Sequence, residues 1–458
     1  MAKVTVQYVC SSCGAKAPQM LGRCPVCGEW GTYEEEILTP TAKRSYSASG
    51  LSAAGGQPKR LQDVEATEEM RLDMHNGELN RVLGGGLVPG SLVLLGGEPG
   101  IGKSTLALQV LMQQGERKTF YASGEESVRQ LKLRAERLAG DAENLYISSE
   151  TSLERILEQV KEIEPEIVVI DSIQTIGTEA IEASIGSLSQ VRECAARILE
   201  FAKTRNIPFF IIGHINKEGS LAGPKVLEHI VDTVLQFEGD QQYMYRILRA
   251  QKNRFGSTSE LGIYEMQQNG LREVSNPSEL LLSTAREGLS GIAIAAAVEG
   301  ARPFLIEVQA LVSSAAYGTP QRSSTGFDGR RLNMLLAVLE KRVGFKLLQK
   351  DVFLNIAGGL RVQDPAIDLA VLAAVLSSNM DIALDAGTCL CGEVGLAGEI
   401  RPVNRIEQRI QEAQKLGFRR ILIPAEQVER LNRSHKPGIE VVPVKKVTDA
   451  FRLLIKKD

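Results

Sequence analysis

The sequence predicts an α/β protein: a central parallel sheet with crossover helices, a small metal-bound module before it and a second mixed domain after it. Three observations carry this expectation. Between residues 61 and 270, short β-type runs alternate with helical ones. A glycine-rich segment, GEPGIGKS from Gly97 to Ser104, stands between an apolar run and a helical run. Four of the 7 cysteines fall within the first 27 residues as two C-x-x-C pairs.

Residues 1–36 hold those pairs, CSSCG and CPVCG. Cys10, Cys13, Cys24 and Cys27 can close four thiolates tetrahedrally around Zn²⁺. Gly14 and Gly28 follow each pair and allow the tight turn whose amides point at the sulfurs. Four protein ligands leave no open position, so the expected zinc is structural and holds together a segment too small for its own core. Residues 37–60 are rich in Ser, Ala and Gly with little apolar periodicity, as in a flexible linker.

The third element, residues 61–275, is expected to be the α/β domain. Its β-type runs are SLVLLGG, KTFYAS, EIVVID and PFFIIGH; its helical runs are STLALQVLMQQ, VRQLKLRAERL and VRECAARILEFAKT. GEPGIGKS matches G-x-x-x-x-G-K-[ST] in full and has the required strand before it and helix after it. Gly97, Glu98, Pro99, Gly100, Ile101, Gly102, Lys103, Ser104 and Thr105 are therefore the expected nucleotide-binding residues. Amides of Gly100 to Lys103 would cradle the β-phosphate, Lys103 would neutralise β/γ charge, and Ser104 would ligate Mg²⁺.

Asp171 ends the run IVVID, from where a carboxylate reaches Mg²⁺ through water. Glu125 and Glu126 follow KTFYASG, and either is placed to orient and deprotonate an attacking water. His214 closes PFFIIGH and precedes Asn216 and Lys217, a position suited to telling ATP from ADP. Arg246, Arg249, Lys252 and Arg254 follow with no acid among them. They form either a solvated strand face or a set in which Lys252 and Arg254 reach a neighbouring subunit's γ-phosphate or DNA phosphates.

The fourth element, residues 280–458, begins after the break SNPS. It has its own strands (IAIAAAVE, PFLIEVQAL, RRILIP) and helices (NMLLAVLEKRV, AIDLAVLAAVL, RIEQRIQEAQKL). Residues 321–346 carry Arg322, Arg330, Arg331, Lys341, Arg342 and Lys346 against Asp328 and Glu340, either a DNA-facing patch or a solvated helix face. Cys194, Cys389 and Cys391 stand at no ligand spacing and are expected to be buried small residues.

Composition narrows the classes of function. A length of 458 residues gives roughly three domains at about 150 each. A net charge of -3 confines any nucleic-acid surface to a local patch. The longest apolar stretch, Leu369 to Leu376, is far short of the roughly 20 residues of a membrane span, and the first residues lack the apolar core of a signal peptide. A cytosolic protein with no membrane partner is expected.

Taken together, CSSCG…CPVCGEW, LNRVLGGGLVPGSLVLLGGEPGIGKST, VVIDSIQT, GHINKEG and KNRFG resemble the bacterial RadA/Sms family of DNA repair and recombination proteins over nearly the whole chain. The resemblance implies a RecA-like ATPase that uses ATP and Mg²⁺ and assembles into hexameric rings. It further implies binding of single-stranded and branched DNA, and branch migration of recombination intermediates alongside the RecA recombinase. One departure is Asn216, where the family's G-H-x-T-K-E-G stretch has threonine. The last element is similar to the Lon-protease-like α+β domain of that family. Aligning DPAIDLAV and GEVGLAGEIRPVNRIEQR with the Lon segments puts Ala366 and Glu407 where the Ser/Lys dyad would stand. Alanine forms no acyl-enzyme, so no peptidase activity is expected. Competing functions are an ATP-dependent protease or protein remodeller, which Ala366 and Glu407 oppose, and a non-hydrolysing adaptor, which the Glu125–Glu126 pair opposes.

Overall fold

The computed structural model describes residues 5–10, 15–26, 28–38, 70–138, 142–214, 225–239, 245–283, 288–315, 320–347, 349–359, 361–431 and 438–455. Contact density divides the chain into Met1–Val274 and Ser275–Asp458.

The N-terminal module is a three-stranded antiparallel sheet in which β1 (Thr5–Cys10) pairs with β2 (Lys16–Ala17) and β3 (Tyr33–Leu38). β3 runs to Leu38, two residues into the stretch expected to be linker. The rest of that stretch lies outside the described residues.

The α/β domain follows. Its first part comprises α1 (Gly77–Leu83), β4 (Leu92–Gly97), α2 (Lys103–Met112), β5 (Thr119–Ser123), α3 (Val128–Ala135), β6 (Leu145–Ser149), α4 (Leu153–Ile163) and β7 (Ile167–Asp171). It continues with α5 (Leu188–Arg205), β8 (Phe209–His214), α6 (Lys225–Ile230), β9 (Thr233–Glu238), β10 (Tyr245–Asn253), β11 (Leu261–Gln267) and β12 (Gly270–Glu273). Nine strands form one sheet in the order β12-β11-β10-β9-β4-β8-β7-β5-β6. β4 to β9 are mutually parallel, and β10, β11 and β12 extend the sheet as an antiparallel meander.

The central strands are apolar at nearly every position because helices cover both of their faces. Val93, Leu95, Tyr121, Val169, Phe210 and Ile212 pack into one buried cluster with Leu106 and Val110 of α2. Leu92, Leu94, Phe120, Val168, Ile170 and Ile211 pack on the other face with Ile156 and Val160 of α4 and Cys194 and Ile198 of α5. Each fully buried side chain of this size contributes about 1.5–3 kcal/mol. The helices start where a side chain caps them: Ser127, Ser152 and Ser187 each accept from the backbone amide three residues on.

The second unit contains α7 (Pro277–Leu281), β13 (Ile292–Glu299), β14 (Arg302–Ser314), β15 (Arg322–Thr325), α8 (Gly329–Val338), β16 (Lys350–Ile356), α9 (Asp368–Met380) and β17 (Thr388–Leu390). It ends with β18 (Glu393–Val394), β19 (Ile400–Arg401), α10 (Ile406–Lys415), β20 (Arg420–Pro424), α11 (Ala425–Leu431), β21 (Glu440–Val444) and α12 (Val447–Ile455). Its mixed seven-stranded sheet has the order β15-β16-β14-β13-β17-β20-β21. α9 is buried from Asp368 to Ser377, as a helix apolar all round from Leu369 to Leu376 must be in water. Among the described residues no helix is long and apolar enough to cross a membrane.

Candidate active site

Four adjacent strands, β4, β8, β7 and β5, end at the same edge of the sheet, and each delivers one or more of the polar groups there. The registers Gly97↔His214, Asp171↔Ile212 and Asp171↔Ser123 fix this alignment. The carboxyl edge of a parallel sheet is where open α/β folds bind ligands.

The loop after β4 turns through Glu98, Pro99 and Gly100, which are exposed, with Gly100 at φ 77. Gly102 takes φ 113 at the N-cap of α2. A Cβ there would sit 2.8 Å from the flexible end of the Met266 side chain, but it is the positive φ that calls for a glycine. No side chain caps α2, which leaves its first-turn amides and dipole for an anion. Lys103 opens the helix, and Ser104 and Thr105, half-buried, continue it. Helical structure thus starts at Lys103, one residue before the run STLALQVLMQQ expected from the sequence.

Lys103 is 3% exposed, and its Nζ donates to the carbonyls of Gly97 (2.8 Å) and Glu98 (2.9 Å). Burial pulls the ammonium down to about 8, against the opposing pull of Asp171 and Glu125. Nζ also lies 3.3 Å from His214 Nδ1, and His214 Nε2 lies 3.1 Å from Glu125 Oε1. A neutral imidazole satisfies both contacts, accepting at Nδ1 and donating at Nε2. Ser172 Oγ donates to the same Glu125 oxygen at 2.5 Å. Burial raises the Glu125 carboxyl, but the Ser172 and His214 hydrogen bonds and the Lys103 charge outweigh it and hold the group below its ordinary range.

Asp171 is 4% exposed. Its Oδ2 accepts from Tyr121 Oη at 2.5 Å, while its Oδ1 is buried with no hydrogen-bond partner. An orphaned carboxylate oxygen at this edge suits a water held on Mg²⁺, so Asp171 and Ser104 fit the metal expected with a nucleotide. The glycine-rich turn, uncapped helix and buried lysine fit the phosphates themselves.

Glu126 is not part of this cluster. It pairs with Arg134 of α3. Of the two acids left open by the sequence, only Glu125 is among the residues brought together here.

Lys252 and Arg254 stand elsewhere. Lys252 pairs with Val234 and Asn253 with Thr233, while Thr233 pairs with Val93 at the opening of β4. The loop after Gly97 is four residues further on, roughly 13 Å along a strand. Lys252 Nζ donates to the carbonyls of Glu228 and Val231, at 2.5 and 2.8 Å, and Arg254 pairs with buried Asp232 at 3.1 Å. Burial pulls the Lys252 ammonium down. The four-cation stretch is not one bare face: Arg249 pairs with Glu238 at 3.0 Å, and Arg246 is buried. Asn253 and Gly256 hold the segment in place. Asn253 Nδ2 donates to the Val82 and Leu83 carbonyls at the end of α1, and a Cβ on Gly256 would lie 3.1 Å from Gly84 Cα. Asn216 and Lys217 lie outside the described residues.

In the N-terminal module Cys10 and Cys24 are buried and begin equivalent turns. Cys10 N donates to Ala15 O at 2.9 Å and Cys24 N to Glu29 O at 2.8 Å, each bond closing a C-x-x-C-G loop. Gly28 has φ 78 in the second turn. The matching amide bonds of Cys10 and Cys24, and the burial of both residues, fit a four-thiolate zinc. Cys13 and Cys27 lie outside the described residues. Cys194, Cys389 and Cys391 are fully buried, and burial pushes the Cys194 and Cys391 thiols up to about 12.

In the second unit the segments aligned with a protease dyad do meet, but a buried ion pair joins them. Arg409 Nη1 contacts Asp364 Oδ2 and donates to Ala296 O, both at 2.6 Å. Ala366 is fully buried two residues from Asp364, and Glu407 is exposed on α10. Neither the serine nor the lysine of a Ser/Lys dyad stands at the aligned positions. Within the basic stretch 321–346, Arg331 pairs with buried Asp368, while Arg322, Arg330, Lys341, Arg342 and Lys346 are exposed.

Sequence reasoning missed Ser172, Tyr121 and Asn253. Ser172 follows directly on Asp171, and a hydroxyl beside the acid that ends IVVID is the one signal that pointed to it.

A family model for the AAA domain matches residues 57–220, one for the rubredoxin metal binding domain matches residues 8–35, and one for subunit ChlI of Mg-chelatase matches residues 327–427. The chain is 49% identical over 455 residues to the DNA repair protein RadA of Bacillus subtilis, covering 99% of each chain. It is 47% identical to the protein of the same description in Halalkalibacterium halodurans, covering 99% of this chain and 100% of that one. For the Listeria monocytogenes protein the identity is 49%, covering 98% of each.

Proposed function

The chain belongs to the RadA family of DNA repair proteins, and on that premise we propose that it is a DNA-dependent ATPase of recombinational repair. In this reading it binds single-stranded and branched DNA, acts as a homo-oligomeric ring alongside a RecA recombinase, and drives branch migration with ATP. The observation that carries the ATPase part is the linked set Lys103–His214–Glu125–Ser172 beside Asp171, at one sheet edge.

Each residue then has a task. Amides at the start of α2 and the Lys103 ammonium take the β- and γ-phosphate charge. Ser104 and Asp171 would hold Mg²⁺, which when bound would neutralise charge on the phosphate oxygens. Glu125 accepts a proton from the water that attacks the γ-phosphorus, and ADP leaves with the bond to the γ-phosphoryl broken. His214 touches both Lys103 and Glu125, so a change at the γ-phosphate reaches the segment that follows β8.

Lys252 and Arg254 act outside their own nucleotide site, because they lie at the opposite end of the sheet from it. They serve a neighbouring subunit's phosphate or DNA phosphates. The Cys10, Cys13, Cys24 and Cys27 zinc is structural. Ala366 and Glu407 leave the second unit without peptidase chemistry and free to act as a scaffold.

Glu125→Gln tests the chemical core. Turnover is expected to fall about 10²- to 10⁴-fold with ATP binding retained, while Glu126→Gln hydrolyses ATP at close to the wild-type rate. Steady-state phosphate release and nucleotide titration read the two effects separately.

A further inference from the structure

Glu125 is held by a single oxygen. Ser172 Oγ and His214 Nε2 both bond to Oε1, at 2.5 and 3.1 Å, and Oε2 has no hydrogen-bond partner among the described residues. The Glu125 side chain is 40% exposed, so solvent reaches it, and Oε2 is the oxygen left without a protein hydrogen bond among the described residues. Ser172, in contrast, is fully buried and cannot touch a nucleotide or a water in the open site.

The two loops that bring these residues together are packed too closely to slide. Gly124 N donates to Asp171 O at 2.8 Å, and a Cβ on Gly124 would lie 2.3 Å from Thr175 Oγ1. Thr175 Oγ1 in turn donates to Ser172 O at 2.9 Å. The hydroxyl of Ser172 therefore meets the Glu125 carboxylate from a fixed backbone, with one rotor of its own to set. His214 is 34% exposed and also serves Lys103, so it is the less rigid of the two anchors.

We infer that Ser172 is a positioning residue for ATP hydrolysis: it fixes one oxygen of Glu125 so that the other is aimed at the attacking water. The inference rests on Glu125 being the general base. It also gives the Asp-Ser pair a joint purpose, since Asp171 faces the metal and Ser172 the base from adjacent positions on one strand end. A base must be held in near-attack geometry to be effective, and a lost charged hydrogen bond at such a point carries a rate cost without a matching binding cost.

The test uses the full-length protein and four variants. Ser172→Ala is expected to lower kcat about 10- to 100-fold, the size of one hydrogen bond to a charged group, with ATP affinity and KM within about twofold of wild type. Ser172→Thr keeps the hydroxyl and is expected to recover most of the lost rate. Combined with Glu125→Gln, Ser172→Ala is expected to add no further loss, because its effect passes through that carboxylate. A wild-type kcat for Ser172→Ala overturns the inference. So does an equal loss of kcat and ATP affinity, or a further loss in the Glu125→Gln background. If Glu125→Gln alone turns over at the wild-type rate, the assignment of the base fails and this inference fails with it. If Glu125→Gln is inactive and Ser172→Ala is not impaired, only the inference about Ser172 falls.

Discussion

Lys103 shows how one residue's environment sets a measurable property of the whole protein. Burial pulls its ammonium down to about 8 in the nucleotide-free chain. Only the charged form pairs with phosphate, and the bound phosphates favour that charge, so binding takes up a proton wherever pH exceeds the free value. Affinity for ATP is accordingly expected to be greatest below pH 8 and to drop by about tenfold per pH unit above it. In Lys103→Arg the charge persists throughout, and the slope above pH 8 is expected to vanish even if overall affinity is lower. Titration of nucleotide at pH 7, 8 and 9 measures both. At this scale the sequence was partly transparent. The identities of Lys103, Ser104 and Asp171 were legible because phosphate and metal chemistry demand fixed residue types at fixed spacing. The choice between Glu125 and Glu126 was not, because adjacent acids at a strand end are equivalent until the turn points one toward His214 and the other toward Arg134.

At the level of elements, the parallel strands were legible as continuous apolar runs, and β10 to β12 were not. In β10 the buried side of the strand carries Arg246 with Leu248 and Ala250, and a buried arginine hides the period-two pattern. Without that meander the position of KNRFG could not be placed, and Lys252 and Arg254 stood in the sequence as candidates with no address. The structure anchors Asn253 and Gly256 to the end of α1 and leaves the two cations at the sheet edge remote from the phosphate loop. The action proposed for these two cations is therefore on another molecule, a neighbouring subunit or DNA. Lys252→Ala is expected to retain ATP binding within about twofold, and to lose most of the stimulation of hydrolysis by single-stranded DNA. Unchanged stimulation would rule out a role for Lys252 in coupling. The protease-like segments of the second unit taught the converse lesson. Their alignment in sequence was readable, and so was the missing dyad, but the Arg409–Asp364 pair that joins them depends on tertiary packing alone.

For the molecule as a whole, a near-neutral chain of net charge -3 must meet DNA through local patches, and affinity carried by such patches falls steeply with salt. The zinc module, the α/β domain and the second unit were each announced by composition or motif. What composition could not supply was which cations remain available, since ion pairs with Asp232, Glu238 and Asp368 occupy several of them. The central claim is that ATP hydrolysis at the Glu125 site is coupled to DNA. The most direct measurement is the steady-state ATPase rate of the full chain alone, with single-stranded DNA, and with an unfolded protein, using Lys103→Ala as the inactive control. Stimulation by DNA alone, lost as salt is raised, is the predicted result. Stimulation by unfolded protein and not by DNA would contradict it and would point to a protein remodeller.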